Sequence, residues 1–458
     1  MDKKLGIKDV IDNKYCIGCG ICAYADPNSF KIDLNKFGQF EAQILYEHYN
    51  VKKLDELCPF SDYSDNEDVI GSQLFPNNSY FDTLGYISST YAGYVREGDY
   101  RMKGSSGGLG SWLCVEFLKN NLVDGIIHLV SSDSDTLFFE YGLSKNEEQV
   151  KSNSKSKYYP VKLDKVAHLI NENKGKYLVV GIPCMLKSLR LLAKEDKDIA
   201  DGIKYTVGLV CGHIKSTAFA EMLGWQLRVK PSELTDIDFR TKLEGYGSNQ
   251  YGITVHTRRN GAEEQIVSKP VNEMFGTNWG LGYFKSKACD FCDDVTAETA
   301  DVTIGDAWLP EYVSQYEGTN VIIVRNPTIN ELLEHAVNEE RLVLEKLAPE
   351  RVVESQSSGI NHRRAGLQYR LNINLKSGLL SPTKRVSPSE NFSKKFKRIQ
   401  DLRVRLRDES NKQFLIAKEQ NDLNVFINNM KVLNEQYAKE YKKTIAQRII
   451  NKLRRMFK

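Results

Sequence analysis

The chain has 458 residues, 41% of them hydrophobic and 27% charged, with a formal net charge of +3. Those values exclude a fibrous or disordered protein and leave room for two or three domains, each with its own core. No run of eighteen or more apolar residues occurs, so no transmembrane helix is expected, and the opening Met-Asp-Lys-Lys-Leu-Gly lacks the apolar core of a secretory signal. The cytoplasm is the expected address, where thiols stay reduced and cysteines serve metals more often than disulfides. Nucleic acid is not expected among the partners.

Residues 1–60 read as a small ferredoxin-like module. Cys16, Cys19 and Cys22 lie in Cys-Ile-Gly-Cys-Gly-Ile-Cys, and Cys58 is followed by Pro59. Three cysteines at two-residue spacings with a later Cys-Pro suit one 4Fe–4S cluster, structural zinc being the rival reading. Gly18 and Gly20 permit the tight backbone that turns amides toward sulfur. The Asp/Asn/Ser-rich stretch 61–88 reads as a linker.

From 89 to 330, helical and strand patterns alternate. Residues 109–118 have a helical period and follow Ser105, Ser106, Gly107 and Gly108. That run is a candidate phosphate cradle, since glycine-turn amides and a helix dipole both favour an anion. An ordinary flexible N-cap is the other reading. A basic stretch, Ser154-Lys155-Ser156-Lys157-Tyr158, is either a second anion contact or a solvated loop.

Strands are expected at 124–130, 177–181, 205–210 and 300–304, with a helix at 186–193 and an antiparallel hairpin at 235–258. The fold class is therefore α/β with parallel strand pairs. Cys184 and Cys211 each fall just past the carboxyl end of a strand, where such sheets bind ligands. With Cys289 and Cys292 they make a second four-thiol set, although buried core thiols fit their spacing equally well. Cys114, in an apolar helical stretch, reads as a buried structural cysteine. His213 stands beside Cys211 and is a candidate proton donor.

Beyond a Ser/Pro-rich stretch at 381–390 the chain reads as helical. Residues 393–458 carry 18 Lys/Arg against 7 Asp/Glu, a balance of +11 that leaves residues 1–392 near −8. The last part, 442–458, has seven basic residues, no acidic one, and Ile445, Ile449, Leu453 and Met456 on one helical face. Such a helix suits peripheral contact with an anionic membrane surface or an acidic partner; packing on the protein body is the alternative.

In order and spacing, the Cys16/Cys19/Cys22/Cys58 module, Ser106-Gly107-Gly108, Ser156-Lys157-Tyr158, Gly181-Ile182-Pro183-Cys184, Val210-Cys211, Cys289-x-x-Cys292 and Gly305-Asp306 form one pattern. The pattern resembles the coenzyme F420 hydrogenase/dehydrogenase beta-subunit family, whose relatives include 7-hydroxymethyl chlorophyll a reductase. The resemblance implies a 4Fe–4S cluster on Cys184, Cys211, Cys289 and Cys292. It also implies an FAD beside that cluster, held by Ser105, Ser106, Gly107, Gly108, Ser156, Lys157 and Tyr158. The N-terminal module matches members that carry a second 4Fe–4S cluster. Two features depart from the family: Gly305-Asp306 is followed by Ala307-Trp308-Leu309, and the extension past about 385 exceeds the minimal subunit.

The implied activity is that of an iron–sulfur flavoprotein oxidoreductase. Reduced ferredoxin or a similar donor supplies electrons, and a small organic acceptor receives them. His213, Asp306 and Lys157 are the candidate proton-handling groups. A link to surface polysaccharide synthesis is an expectation by analogy, and an electron-relay subunit without substrate chemistry is the alternative. The expected organisation is 1–60 ferredoxin-type module, 61–88 linker, and 89–165 and 166–330 as the two parts of the flavin and cluster domain. A peripheral segment at 331–392 and a basic helical tail at 393–458 follow.

Overall fold

One mixed sheet of eight strands organises the chain. In chain order its strands are β1 (Ser89–Val95), β2 (Gly125–Ser131), β3 (Phe139–Ser144), β4 (Tyr177–Gly181), β5 (Ile203–Leu209), β6 (Val302–Asp306), β7 (Asn320–Val324) and β8 (Leu342–Lys346). This computed structural model describes residues 3–134, 136–259 and 261–442. The spatial order is β8-β1-β7-β6-β5-β4-β2-β3. The centre is parallel (β2 with β4, β4 with β5, β5 with β6), and the flanking pairs are antiparallel. Such a centre needs cover on both faces, and its sequence shows this: in β4, Tyr-Leu-Val-Val-Gly, all but Val180 are buried.

Parallel neighbours release their chains at the same sheet edge. Gly181 of β4 pairs with Gly208 of β5, so the stretches that carry Cys184 and Cys211 leave side by side. Helix α1 (Leu109–Lys119) starts behind the Ser105–Gly108 run. Helix α2 (Pro183–Glu195) begins with Pro183 in its first turn, where proline's fixed φ favours helix and its missing N–H costs nothing. The expected hairpin at 235–258 belongs to a separate three-stranded sheet, Leu234–Thr241, Gly252–Arg259 and Ala262–Val267.

The N-terminal module packs short helices around an antiparallel pair, Phe30–Leu34 with Phe40–Ile44. It has no separate core. Ile7, Tyr15, Ile17, Phe30 and Phe60 belong to the same buried cluster as Leu186, Leu189 and Phe291. Tyr15 meets Phe291 edge-on at 4.9 Å.

Two expectations about organisation need correction. Segment 61–88 is not a bare linker, for it holds a helix, Glu67–Leu74, and a hairpin, Ser79–Phe81 with Gly85–Ile87. Its polar residues serve as caps and ion-pair partners: Asn66 accepts from the Val69 amide, and buried Glu67 faces Lys187 and Arg385 at 3.4 and 3.8 Å. Segment 331–392 is not peripheral, because β8 completes the sheet and Arg363 and Arg370 are buried.

The start of the tail is helical, as expected, and it packs on the body of the protein. Helices α3 (Lys394–Gln420) and α4 (Leu423–Tyr441) form an antiparallel pair whose Leu406, Phe414, Phe426 and Met430 join the core. The amphipathic stretch expected at 442–458 lies, after its first residue, outside the described residues. Among the described residues, no helix is long and apolar enough to cross a membrane.

Candidate functional site

The eight cysteines singled out in the sequence stand in two groups of four. Cys16, Cys19, Cys22 and Cys58 line a largely apolar cavity. Cys184, Cys211, Cys289 and Cys292 line a second. Ile17 and Phe60 form part of the wall of both, so a single layer of side chains separates the two groups. Cys114 lies elsewhere, on α1 and buried in the apolar core.

In the first group the backbone does the positioning. The amides of Gly18 and Ala42 donate to Cys16 Sγ at 3.3 and 3.4 Å. Gly18 has φ +67°, and a Cβ there would lie 2.4 Å from the Phe40 backbone oxygen, so only glycine fits this turn. Burial pushes the Cys16 thiol up to about 11, with Cys19 adding to the shift, and raises Cys58 further.

In the second group, strand ends and a short turn do the positioning. Cys184 lies in the first turn of α2, Cys211 follows β5, Cys289 sits within the turn Lys287–Phe291, and Cys292 ends that turn. The Ile214 amide donates to Cys289 Sγ at 3.2 Å. Burial lifts Cys211 to about 12 and Cys292 to about 11, while the Arg363 guanidinium opposes the rise in both. Arg363 was not foreseen from the sequence. It is 2% exposed, lines the second cavity and donates to the carbonyls of Cys211, Gly212 and Asp294.

Two sets of four thiols, with backbone amides donating to Cys16 and Cys289 and the Arg363 guanidinium beside the second set, suit a bound group that takes them as thiolates. Among the described residues, no three His, Cys, Asp or Glu side chains converge at the spacing of a single metal ion. Four thiols around a void, with apolar walls and amide-to-sulfur contacts, match the donor set of a cubane cluster.

The glycine-rich run and the basic segment come together. The Ser156 amide donates to Ser105 Oγ at 2.8 Å. Ser106 Oγ donates to the Thr319 carbonyl, and Gly108 takes φ +86° to open α1. A Cβ at Gly108 would lie 2.6 Å from the Tyr100 carbonyl carbon, which explains the glycine.

Arg240, also unforeseen, ties the pieces together. Its Nη1 donates to the Tyr158 hydroxyl at 3.1 Å, its Nη2 to the Ser105 carbonyl at 3.0 Å, and both grip the Asp306 carboxylate. Arg240 is buried, and its Nε has no partner among the described residues. Lys242 donates to the carbonyls of Ser106 and Glu317, and burial with nearby Arg240 brings its amine down to about 7. Alternation along 236–240 puts Arg240 on the face opposite Ile237 and Phe239, which is the one signal of its role in the sequence.

The three candidate proton-handling groups differ in setting. Both carboxylate oxygens of Asp306 accept from Arg240. Lys157 donates to the Asn153 and Ser154 carbonyls, and burial lowers it to about 8. His213 is held well below its ordinary range by burial, and its Nε2 has no partner among the described residues. Its ring lies 4.6 Å from that of Trp279, and Trp279 meets Tyr158 at 4.8 Å. Trp279 thus spans the gap between the glycine-run side and the second cysteine group.

Two sequence models of one family match the chain. The model for the N-terminal part of the coenzyme F420 hydrogenase/dehydrogenase beta subunit matches residues 90–168. The model for the carboxyl-terminal part of the same polypeptide matches residues 174–350. Together they cover more than half of the chain. The chain belongs to the coenzyme F420 hydrogenase/dehydrogenase beta-subunit family. Its Ser105–Gly108 run and all four cysteines of its second group fall inside the matched spans.

Coenzyme F420-dependent sulfite reductase of Methanocaldococcus jannaschii is 22% identical over 356 residues, which are 74% of this chain and 49% of that protein. This family member thus spans about half the length of that curated relative. Among solved structures, a chain of the F420-reducing NiFe hydrogenase complex from Methanosarcina barkeri is similar at 16% identity and a TM-score of 0.49. That match covers 66% of this chain and 99% of the other. The family takes its name from redox enzymes, the coenzyme F420 hydrogenases and dehydrogenases.

Proposed function

We propose that this chain is an iron–sulfur flavoprotein oxidoreductase. Cys16, Cys19, Cys22 and Cys58 hold one 4Fe–4S cluster, and Cys184, Cys211, Cys289 and Cys292 hold another. The Ser105–Gly108 run, Ser156 and Tyr158 seat an FAD. When bound, the clusters supply one-electron steps and the flavin supplies the exchange between one- and two-electron chemistry. A ferredoxin-like donor feeds the N-terminal side, and a small organic acceptor is reduced at the flavin side.

One observation carries the reading above all others: the two four-cysteine cavities share Ile17 and Phe60 as a common wall. Carriers seated there lie within one side-chain layer of each other, which is the arrangement serial electron transfer needs.

The chain's residues have definable tasks in this scheme. Arg363 offsets the negative charge that four thiolates bring to the second site. Arg240 and Lys242 fix the carbonyls of Ser105 and Ser106, which leaves the turn's amides free to face an anion. Asp306 and Lys157 are assigned to holding this cradle, because their polar atoms are already engaged. His213, neutral through burial and with an Nε2 that has no partner among the described residues, is the remaining candidate to take up and pass on a proton.

The deciding measurement is anaerobic purification with iron, sulfide and flavin analysis. About eight iron atoms and one FAD per chain are expected. A metal-poor preparation made under strict oxygen exclusion would overturn the proposal.

A further inference from the structure

The family models end at residue 350, yet the helical pair α3–α4 packs directly on the loop that carries Cys289 and Cys292. Asp290, between those cysteines, is fully buried and surrounded by cations. Lys285 and Arg407 form ion pairs with its carboxylate, His362 Nε2 lies 3.1 Å from Oδ1, and Arg370 donates to its backbone carbonyl at 2.8 Å. Arg407 comes from α3 and is 6% exposed.

Other parts of the helical pair seize the same loop further upstream. Tyr283 donates to Asn434 of α4 at 2.6 Å, and the Phe284 amide donates to Ser410 of α3 at 3.0 Å. The Phe284 ring sits between Phe414 and Phe426, with centroids 5.2 and 5.6 Å away. Arg403 bonds both His362 Nδ1, at 3.1 Å, and the Tyr437 hydroxyl, at 3.3 Å.

From this geometry we infer that α3–α4 is a built-in clamp on the second cysteine site. Arg407 is its positioning residue, acting through Asp290 on the orientation and the electrostatics of Cys289 and Cys292. The inference rests on the proposal that these cysteines hold a cluster. Its physical basis is that a carboxylate buried between two ligands is held only by its counter-charges, and the nearest from outside the loop is Arg407. Outer groups of this kind tune a metal site through hydrogen bonds and charge, and their loss typically weakens metal retention about 10–100-fold.

Charge tuning has a signature that simple scaffolding lacks. Arg407→Gln removes a cation near the site, so an added electron is less stabilised and the midpoint potential moves negative. Asp290→Asn removes an anion, and the potential moves positive. Arg407→Lys keeps the charge and returns the potential toward the unaltered value.

The experiment is an anaerobic redox titration of the full-length holoprotein followed by electron paramagnetic resonance. The signal tracked is the one that disappears in Cys184→Ser. Iron release to a chelator is timed in parallel, with release at least about tenfold faster expected in Arg407→Gln. Opposite shifts in the two variants, with recovery in Arg407→Lys, support the clamp. Shifts of the same sign, or none, overturn it. Should Arg407→Gln not accumulate as folded protein, Asp290→Asn decides alone: a positive shift supports the inference, and a negative or absent one refutes it. If no signal depends on Cys184, the cluster assignment itself fails, and the clamp fails with it.

Discussion

The two cysteine sites lie back to back but are built in opposite ways. The first takes three of its thiols from seven consecutive residues, and main-chain amides and a left-handed glycine shape it. The second draws thiols from three segments more than a hundred residues apart end to end, and its surroundings are buried ions: Arg363, Arg370, Arg407, Lys285 and Asp290. A local site needs only a tight turn. A site assembled from distant strands leaves polar loop backbone inside the protein, and charged side chains from later in the sequence must satisfy it. The family fold supplies the strand ends; the residues past 350 supply much of that charge.

Removing one ligand from each site is the strongest way to break the contrast. Cys16→Ser and Cys184→Ser should each lose about four of the roughly eight irons. Because the second site ties together segments far apart in sequence, Cys184→Ser should also lower the thermal midpoint of the anaerobic protein more than Cys16→Ser does. Equal midpoints in the two variants would mean that the second site is preformed without its metal.

Phe60→Ala attacks the wall the two sites share. Phe60 is 5% exposed, and truncating a buried phenylalanine typically costs about 3–5 kcal/mol. Denaturant unfolding should show a loss of that size, and iron should leave both sites faster. Faster loss from one site alone would show that the wall belongs to that site.

Gly18→Ala tests the backbone half of the contrast. The left-handed turn and the close Phe40 oxygen predict a loss of about 1–3 kcal/mol, with iron lost from the first site only. A neutral result would show that the turn relaxes and that amide placement there is not what defines the site.

Much of this was legible beforehand because it depends on local pattern. The Cys16–Cys22 run, strand β4, α1 behind its glycine turn and the strand-end positions of Cys184 and Cys211 all follow from spacing and periodicity. What escaped notice depends on long-range pairing of charges. Nothing near Arg363 in the sequence says that it will meet Cys211 some 150 residues earlier, and Arg407 reads as one more cation on a polar helix. Segment 61–88 reads as a linker for the same reason: its Asp, Asn and Glu residues look solvated until Arg385, more than three hundred positions later, is placed against Glu67 and Asp68.

If buried charge distinguishes the body from the N-terminal module, stability should carry a pH dependence that originates in the body. Burial lowers Lys157 and Lys285 to about 8 and Lys242 to about 7. In the module, Lys8 is moved the other way by its hydrogen bond with Asp12. For Lys242 the unfolded value is near 10.5. Between about 7 and 10.5 the unfolded chain holds a proton that the folded chain has released, so stability rises with pH across that window. Below it both states are protonated, and the folded state bears the full cost of a desolvated ammonium. Lys242→Met should therefore gain most over the unaltered protein near pH 6.5, and the gain should shrink steadily toward pH 9.5. Urea midpoints of the anaerobic protein at several pH values measure this directly. A gain that does not vary with pH would place the Lys242 amine in water rather than against the Ser106 and Glu317 carbonyls.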